Sequence, residues 1–207
     1  WIREQSGGHT RYVHIGRPWG ALDSFDLVVT TPQYRVPDHP NVLNNLLTLH
    51  SVTPQRLEQA RQEWRDEFSA LPGPYFAVIV GGNSGPYTFG PKAAQRLGRD
   101  ASSLANAHGG SLLVTTSSRS DPAAVDALQQ SITASHVCSR YKPADTASPY
   151  LGIRAGADRV IVSGDSIAML SEACATGKPV RIFDLGGMRD ASDSIQRDFR
   201  LGGVLYE

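Results

Sequence analysis

The chain has 207 residues, 40% of them apolar and 19% charged, with 20 Gly and 13 Pro. That is a globular composition, long enough for one large domain or two small ones. Lys plus Arg and Asp plus Glu each number 20, so the net charge is zero and the basic excess that coating of nucleic acid requires is absent.

Tyr12 to Gly16 and Phe25 to Thr31 are short, β-branched and bounded by Gly, Pro or Asp, which predicts two buried strands. Residues 32–40 carry three prolines and read as a loop, and 41–52 hold a brief apolar stretch of undetermined type. Thr53-Pro54 pairs an N-cap residue with Pro at the first helical position, and Leu57, Ala60, Trp64, Phe68 and Leu71 follow at helical spacing. A helix over about 54–70 results, broken by Leu71-Pro72-Gly73-Pro74, a plausible domain boundary.

Beyond that hinge, strand and helix alternate. Strands are predicted at 75–80, 111–115, 136–138, 159–163 and 179–183, with helices at about 92–107, from Asp121-Pro122, at 149–155, at 167–176 and at 190–201. Apolar strands separated by amphipathic helices make a parallel sheet covered on both faces. Right-handed crossovers then bring the C-terminal ends of the strands to one rim, where open α/β sheets bind ligands.

Three motifs fall on that rim. Gly81-Gly82-Asn83-Ser84 follows a strand; its glycines allow backbone N–H groups close to an anion, and Asn83 and Ser84 can add side-chain donors, although an ordinary Gly-rich turn has the same composition. Thr116 to Ser120 includes Ser118 and Arg119; the guanidinium suits a phosphate or carboxylate, while the bland alternative is a solvated arginine before a helix cap. Gly164-Asp165-Ser166 opens a helix whose N–H groups point at the rim, and Glu172 lies about a turn and a half further on, placed for a ribose diol. N-capping by Asp165 or Ser166 and a solvated Glu172 are the competing readings. His9 is a candidate general base, though a lone histidine beside two glycines is more often simply exposed. His14, inside a strand, reads as a satisfied core residue.

Cys138 and Cys174 form no CxxC, and no HExxH or paired ligand spacing occurs, so neither a disulfide framework nor a metal site is expected. Apolar runs are far shorter than the roughly 20 residues that span a bilayer. The chain opens at Trp1 without Met and reads as a fragment. Its 17 Arg against 3 Lys suggest a bacterial source.

Gln5-Ser6-Gly7-Gly8, Gly16-Arg17-Pro18, Phe25 to Val29, Pro40 to Leu43, Gly81 to Ser84, Thr115 to Arg119, Pro149-Tyr150, and Ser163 to Ala173 leading to Gly177-Lys178-Pro179 together resemble the mitochondrial fission Elm family. Ser148 departs from the Asn usual there before Pro-Tyr, and the family's opening strands have no counterpart. That family groups a plant outer-mitochondrial-membrane fission factor with bacterial proteins often labelled nucleoside-diphosphate-sugar epimerases. The Gly-Asp-Ser turn, helical Glu and Gly-x-Pro are also similar to the donor half of GT-B glycosyltransferases. The resemblance implies a GT-B-like α/β fold of two Rossmann-like parallel-sheet domains, the N-terminal one truncated at 1–70 and the nucleotide-sugar-binding one at 74–207, with the ligand between them. Gly81, Gly82, Asn83, Ser84, Ser118, Arg119, Gly164, Asp165 and Ser166 would surround the nucleotide and its phosphates, and Glu172 would hold the ribose. The epimerase label fits poorly, because neither GxGxxG nor Tyr-x-x-x-Lys occurs.

The expectation is therefore a cytoplasmic, glycosyltransferase-like enzyme, peripheral to the inner face of the membrane where it meets one. It would take a nucleotide-diphosphate sugar and an unidentified acceptor, with no cofactor or metal required and no nucleic-acid partner. The alternative is a non-catalytic adaptor recruiting partners at a membrane surface.

Overall fold

The computed structural model describes residues 2–85, 87–143 and 149–185. The chain folds as two compact units, 1–49 and 50–207. The helix expected over 190–201 lies outside the described residues, as does Ser148.

In the first unit a short helix α1 (Ile2–Gln5) precedes three parallel strands, β1 (Val13–Ile15), β2 (Leu27–Thr30) and β3 (Val42–Asn44), with β2 in the middle. The stretch of undetermined type thus contains a strand. Tyr12–Gly16 and Phe25–Thr31 do form strands, but only the second is buried: Val28 and Thr30 are enclosed, whereas Val13 and Ile15 of β1 are exposed. The reason is position, since β1 pairs on one side alone among the described residues. Asp26 binds the β1 approach to β2, accepting from the Tyr12 N–H at 2.7 Å and pairing with Arg3 and Arg11. The Tyr12 N–H and Arg11 hold its carboxyl below the usual value.

The second unit is a three-layer α/β sandwich. In chain order it comprises α2 (Pro54–Phe68), β4 (Tyr75–Ile79), α3 (Pro91–Ala107), β5 (Ser111–Thr115), α4 (Pro122–Ser131), β6 (His136–Ser139), α5 (Tyr150–Gly156), β7 (Arg159–Ser163), α6 (Ile167–Cys174) and β8 (Val180–Phe183). The five strands are all parallel in the order β6-β5-β4-β7-β8. Alternation along β4 divides the core. Phe76, Val78 and Val80 pack under α3 and α4 with Leu97 and Leu128, while Ala77 and Ile79 face α5 and α6 with Ile153 and Leu170.

Local sequence sets the helix starts. Thr53 accepts from the Arg56 N–H at 3.2 Å, and Asp121 accepts from the Ala123 and Ala124 N–H groups at 2.9 and 3.2 Å, each before a Pro at the first position.

The boundary between units falls at 49/50 rather than at the Leu71–Pro74 hinge. Helix α2 belongs to the second unit because its apolar face, Leu57 and Ala60, packs on Ala155 and Leu151 of α5. The two helices approach closely at Gly152, where a Cβ would lie 2.3 Å from the Trp64 ring. Lys178 closes the far end of α5, its ammonium donating to the carbonyls of Arg154 and Ala155 at 2.7 Å and of Ala157.

Gly152→Ala is expected to push α2 off α5 and to lower the free energy of unfolding by about 1–3 kcal/mol, the usual cost of overpacking. Urea denaturation checks it, and Trp64→Leu in the same chain should recover part of the loss.

Candidate functional site

Strands β4, β5 and β7 deliver their following loops to one place on the C-terminal rim. The loop after β4 is tied down by its backbone: the Gly81 N–H donates to Ser163 Oγ at 2.8 Å, and the Gly81 carbonyl accepts from the hydroxyls of Ser120, at 2.8 Å, and Ser117. No side chain fits here. A Cβ on Gly81 would sit 2.1 Å from Asp165 Oδ2, and one on Gly82, whose φ is +137°, would sit 2.1 Å from the Arg119 carbonyl oxygen. Asn83 receives the Phe89 N–H on Oδ1 at 2.9 Å, and Ser84 exchanges backbone hydrogen bonds with Tyr87. The Asn83 carboxamide oxygen thus organises its own loop.

Asp165 is the pivot. Its side chain is 0% exposed, Oδ1 accepts from Ser163 Oγ at 2.5 Å, and Oδ2 lies 3.0 Å from Arg119 Nη1. That second contact is an ion pair without the alignment of a hydrogen bond. Asp165, which the sequence places beside the nucleotide, is enclosed and ties together the loops after β4, β5 and β7. Arg119, about a third exposed, also donates to the Asn83 carbonyl at 3.4 Å. Ser118 beside it is exposed. The Gly164 N–H is taken by the Phe183 carbonyl at 3.1 Å. Ser166 is half-buried and caps α6 loosely, its Oγ 3.5 Å from the Met169 N.

Glu172 does not lie on a solvated face. Its Oε2 accepts from the Tyr150 hydroxyl at 2.8 Å and from Arg154 Nη1 at 2.9 Å, while the Arg154 guanidinium stacks on the Tyr150 ring at 4.0 Å. Arg154 is 3% exposed and Glu172 23%. From sequence Tyr150 enters only within the Pro149-Tyr150 motif and Arg154 not at all, although an arginine one turn from a tyrosine on one helix face is a signal that could pair them. Burial pushes the Tyr150 phenol well above its ordinary value of 10.0, Glu172 adding to the rise and Arg154 and Arg119 opposing it.

His9 is exposed and sits on the N-terminal side of β1, the end of its own sheet away from the rim. His14 is half-exposed rather than core, its ring tilted against Phe25 at 5.4 Å. Burial raises the thiols of Cys138 and Cys174 above their ordinary values. Among the described residues no three His, Cys, Asp or Glu side chains gather as metal ligands, and no helix is long and apolar enough to cross a membrane.

The sequence profile of Mitochondrial fission ELM1 matches residues 1–205. The chain belongs to the mitochondrial fission ELM1 family. It is similar to the Mitochondrial fission protein ELM1 of Arabidopsis thaliana, 28% identical over 228 residues that take in 99% of this chain and 52% of the plant protein. The chain thus spans about half the length of that curated relative. Among solved structures it aligns with the glycosyl transferase family 9 protein of Veillonella parvula DSM 2008 at a TM-score of 0.46 and 11% identity, covering 98% of this chain and 70% of that one.

In this ELM1-family chain the buried carboxylate and the Tyr150–Arg154–Glu172 cluster make separate predictions. Asp165→Ala leaves Ser163 and Arg119 without their acceptor and should cost about 1–3 kcal/mol in urea denaturation, Arg119 being partly solvated. For Tyr150 the folded phenol binds its proton more tightly than the unfolded one, so stability falls as pH rises through about 10. Tyr150→Phe, which cannot titrate, should lose less stability than the parent between about pH 9 and about pH 11, read from urea midpoints.

Proposed function

We propose that the 50–207 unit binds a nucleotide-diphosphate sugar on the C-terminal rim of its sheet, and that the protein transfers the sugar to an acceptor. One observation carries this reading. From β4 the chain winds outward through β5 to β6 and then returns through α5 to place β7 on the other side of β4. Strand order therefore reverses between β4 and β7, the switch point where open α/β sheets take their ligands. The loops that follow those two strands are Gly81-Gly82 and Gly164-Asp165-Ser166.

The chemistry available there suits a diphosphate beside a ribose. The first-turn N–H groups of α6 and the Ser166 hydroxyl offer donors to phosphate oxygens, and a helix N-terminus favours their charge. Ser118 and the outward N–H groups of Arg119 add donors that stabilise the negative charge of a departing diphosphate. Oε2 of Glu172 is held by Tyr150 and Arg154, which fixes the carboxylate and leaves Oε1 for a ribose hydroxyl. The reaction needs no cofactor in this scheme.

A second reading, a non-catalytic adaptor, is favoured by the plant relative's name, a mitochondrial fission protein, and by Asp165 and Glu172 already having partners within the fold.

Isothermal titration with UDP, GDP, ADP and CMP, without and with Mg, separates the two. Saturable binding of one nucleotide is expected, weakened about ten- to a hundredfold by Ser166→Ala and by Glu172→Gln, which keeps an oxygen for Arg154. Binding of none by a protein with a cooperative unfolding transition would reject the nucleotide reading and leave the adaptor.

A further inference from the structure

The five-stranded sheet ends at β6, which pairs with β5 alone among the described residues. The Ser135 and Ser139 carbonyls accept from the Leu112 and Thr116 N–H groups at 2.9 and 3.2 Å. Residues two apart in a strand turn their backbone groups to the same neighbour, so those of His136 and Cys138 point away from β5. Such an outward row of N–H and C=O groups is a template for a further strand, and proteins commonly blunt it by laying a helix or loop over the edge.

Beside this edge there is instead a cavity of about 500 Å³. Val137, Cys138 and Ser139 form its floor, with Trp64 of α2 on one side and Gln129 of α4 on the other, one helix from each face of the sheet. Trp64, Val137, Cys138 and Ser139 are each half-buried, so part of each stays open to an occupant. One strand residue in a layered sheet takes up about 160 Å³, from a rise of about 3.3 Å, about 4.8 Å between strands and about 10 Å between layers. The slot thus has room for about three residues of extended chain, close to the length of β6 itself. Charge marks one end of it. Arg140 and Lys142 follow β6 and line the cavity; Arg140 is paired with Asp126 at 2.6 Å, whereas Lys142 is exposed and has no carboxylate partner among the described residues. Glu67 of α2 is the carboxylate of the lining.

We propose that the β6 edge is a docking groove for an extended segment of a partner protein, which adds a sixth strand to the sheet and carries an acidic residue beside Lys142. The backbone of His136 and Cys138 supplies the main-chain hydrogen bonds, and alternate side chains of the segment meet Trp64 and Val137 on one side and Cys138 and Gln129 on the other. A second copy of the chain suits the slot less well, because its own β6 is flanked by the same two helices, which would have to enter with it. None of these residues belongs to the loops after β4, β5 or β7, so the groove stands or falls apart from the nucleotide reading.

The test is a ¹H–¹⁵N NMR titration of the whole chain with end-capped hexapeptides, Thr-Val-Thr-Val-Glu-Glu and its counterparts with Leu or Tyr in place of Val. At least one should shift the His136 and Cys138 amides saturably, with a Kd of about 0.1–1 mM. Methylating one set of alternate peptide nitrogens should weaken that binding about tenfold or more, while methylating the other set, on the edge turned away from β6, should leave it within about twofold. Lys142→Glu should weaken the acidic peptide about threefold or more and favour a peptide ending in Lys-Lys instead. No shift of those two amides with any of the three peptides at about 5 mM would overturn the proposal. Equal losses from both methylated sets, or unchanged affinity in Lys142→Glu, would overturn it as well. So would a concentration-dependent dimer in sedimentation that perturbs the same amides without peptide, since the groove would then belong to a second copy.

Discussion

A carboxylate withdrawn from water has to be surrounded by donors, and Asp165 recruits its donors from more than one loop. Ser163, two residues back on β7, donates to one oxygen; Arg119, on the loop after β5, faces the other; and the same Ser163 hydroxyl receives the Gly81 N–H from the loop after β4. Three loops far apart in sequence are thereby fixed against one side chain. The glycines follow from this constraint, because any Cβ at Gly81 would occupy the space of the carboxylate. The rim owes its shape to a carboxylate buried beneath it, while Ser118, Ser166 and the outer part of Arg119 stay accessible above.

Glu172 illustrates the same economy one turn and more into α6. A carboxylate that is 23% exposed, beside an arginine that is 3% exposed, is stable because Tyr150 and Arg154 supply two donors and the tyrosine ring covers the guanidinium. Both partners come from α5, which in turn is held by α2 across Gly152 and by Lys178 at its C-terminal end. The helix preceding the five-stranded sheet in sequence therefore supports the site from behind, two helices removed from the rim.

The two units are built on one principle at two scales. Each is a parallel sheet with polar residues gathered at its C-terminal ends, where strand register lines up the loops. In the larger unit the polar groups are charged and paired; in the smaller the buried polar residues are the neutral Thr30 and Thr31.

Periodicity, caps and breakers in the sequence determined the helices from Thr53-Pro54 and Asp121-Pro122, the strands of the five-stranded sheet, and the placing of Gly81, Arg119 and Ser166 at strand ends, since these are local properties of backbone and side-chain spacing. Membership of the ELM1 family was legible as well, carried by contiguous motifs. Strand order was not: Phe76 pairs with Arg159, and nothing in either segment states that β7 returns to lie beside β4 rather than beside β6. Tertiary structure alone decided that α2 joins the second unit, that Val13 and Ile15 stay exposed on an edge strand, and that Asp165 and Glu172 are enclosed by Arg119 and Arg154. The physical reason is that enclosure of a charge depends on which distant donors arrive at it, and that is a property of packing between elements rather than of any one of them.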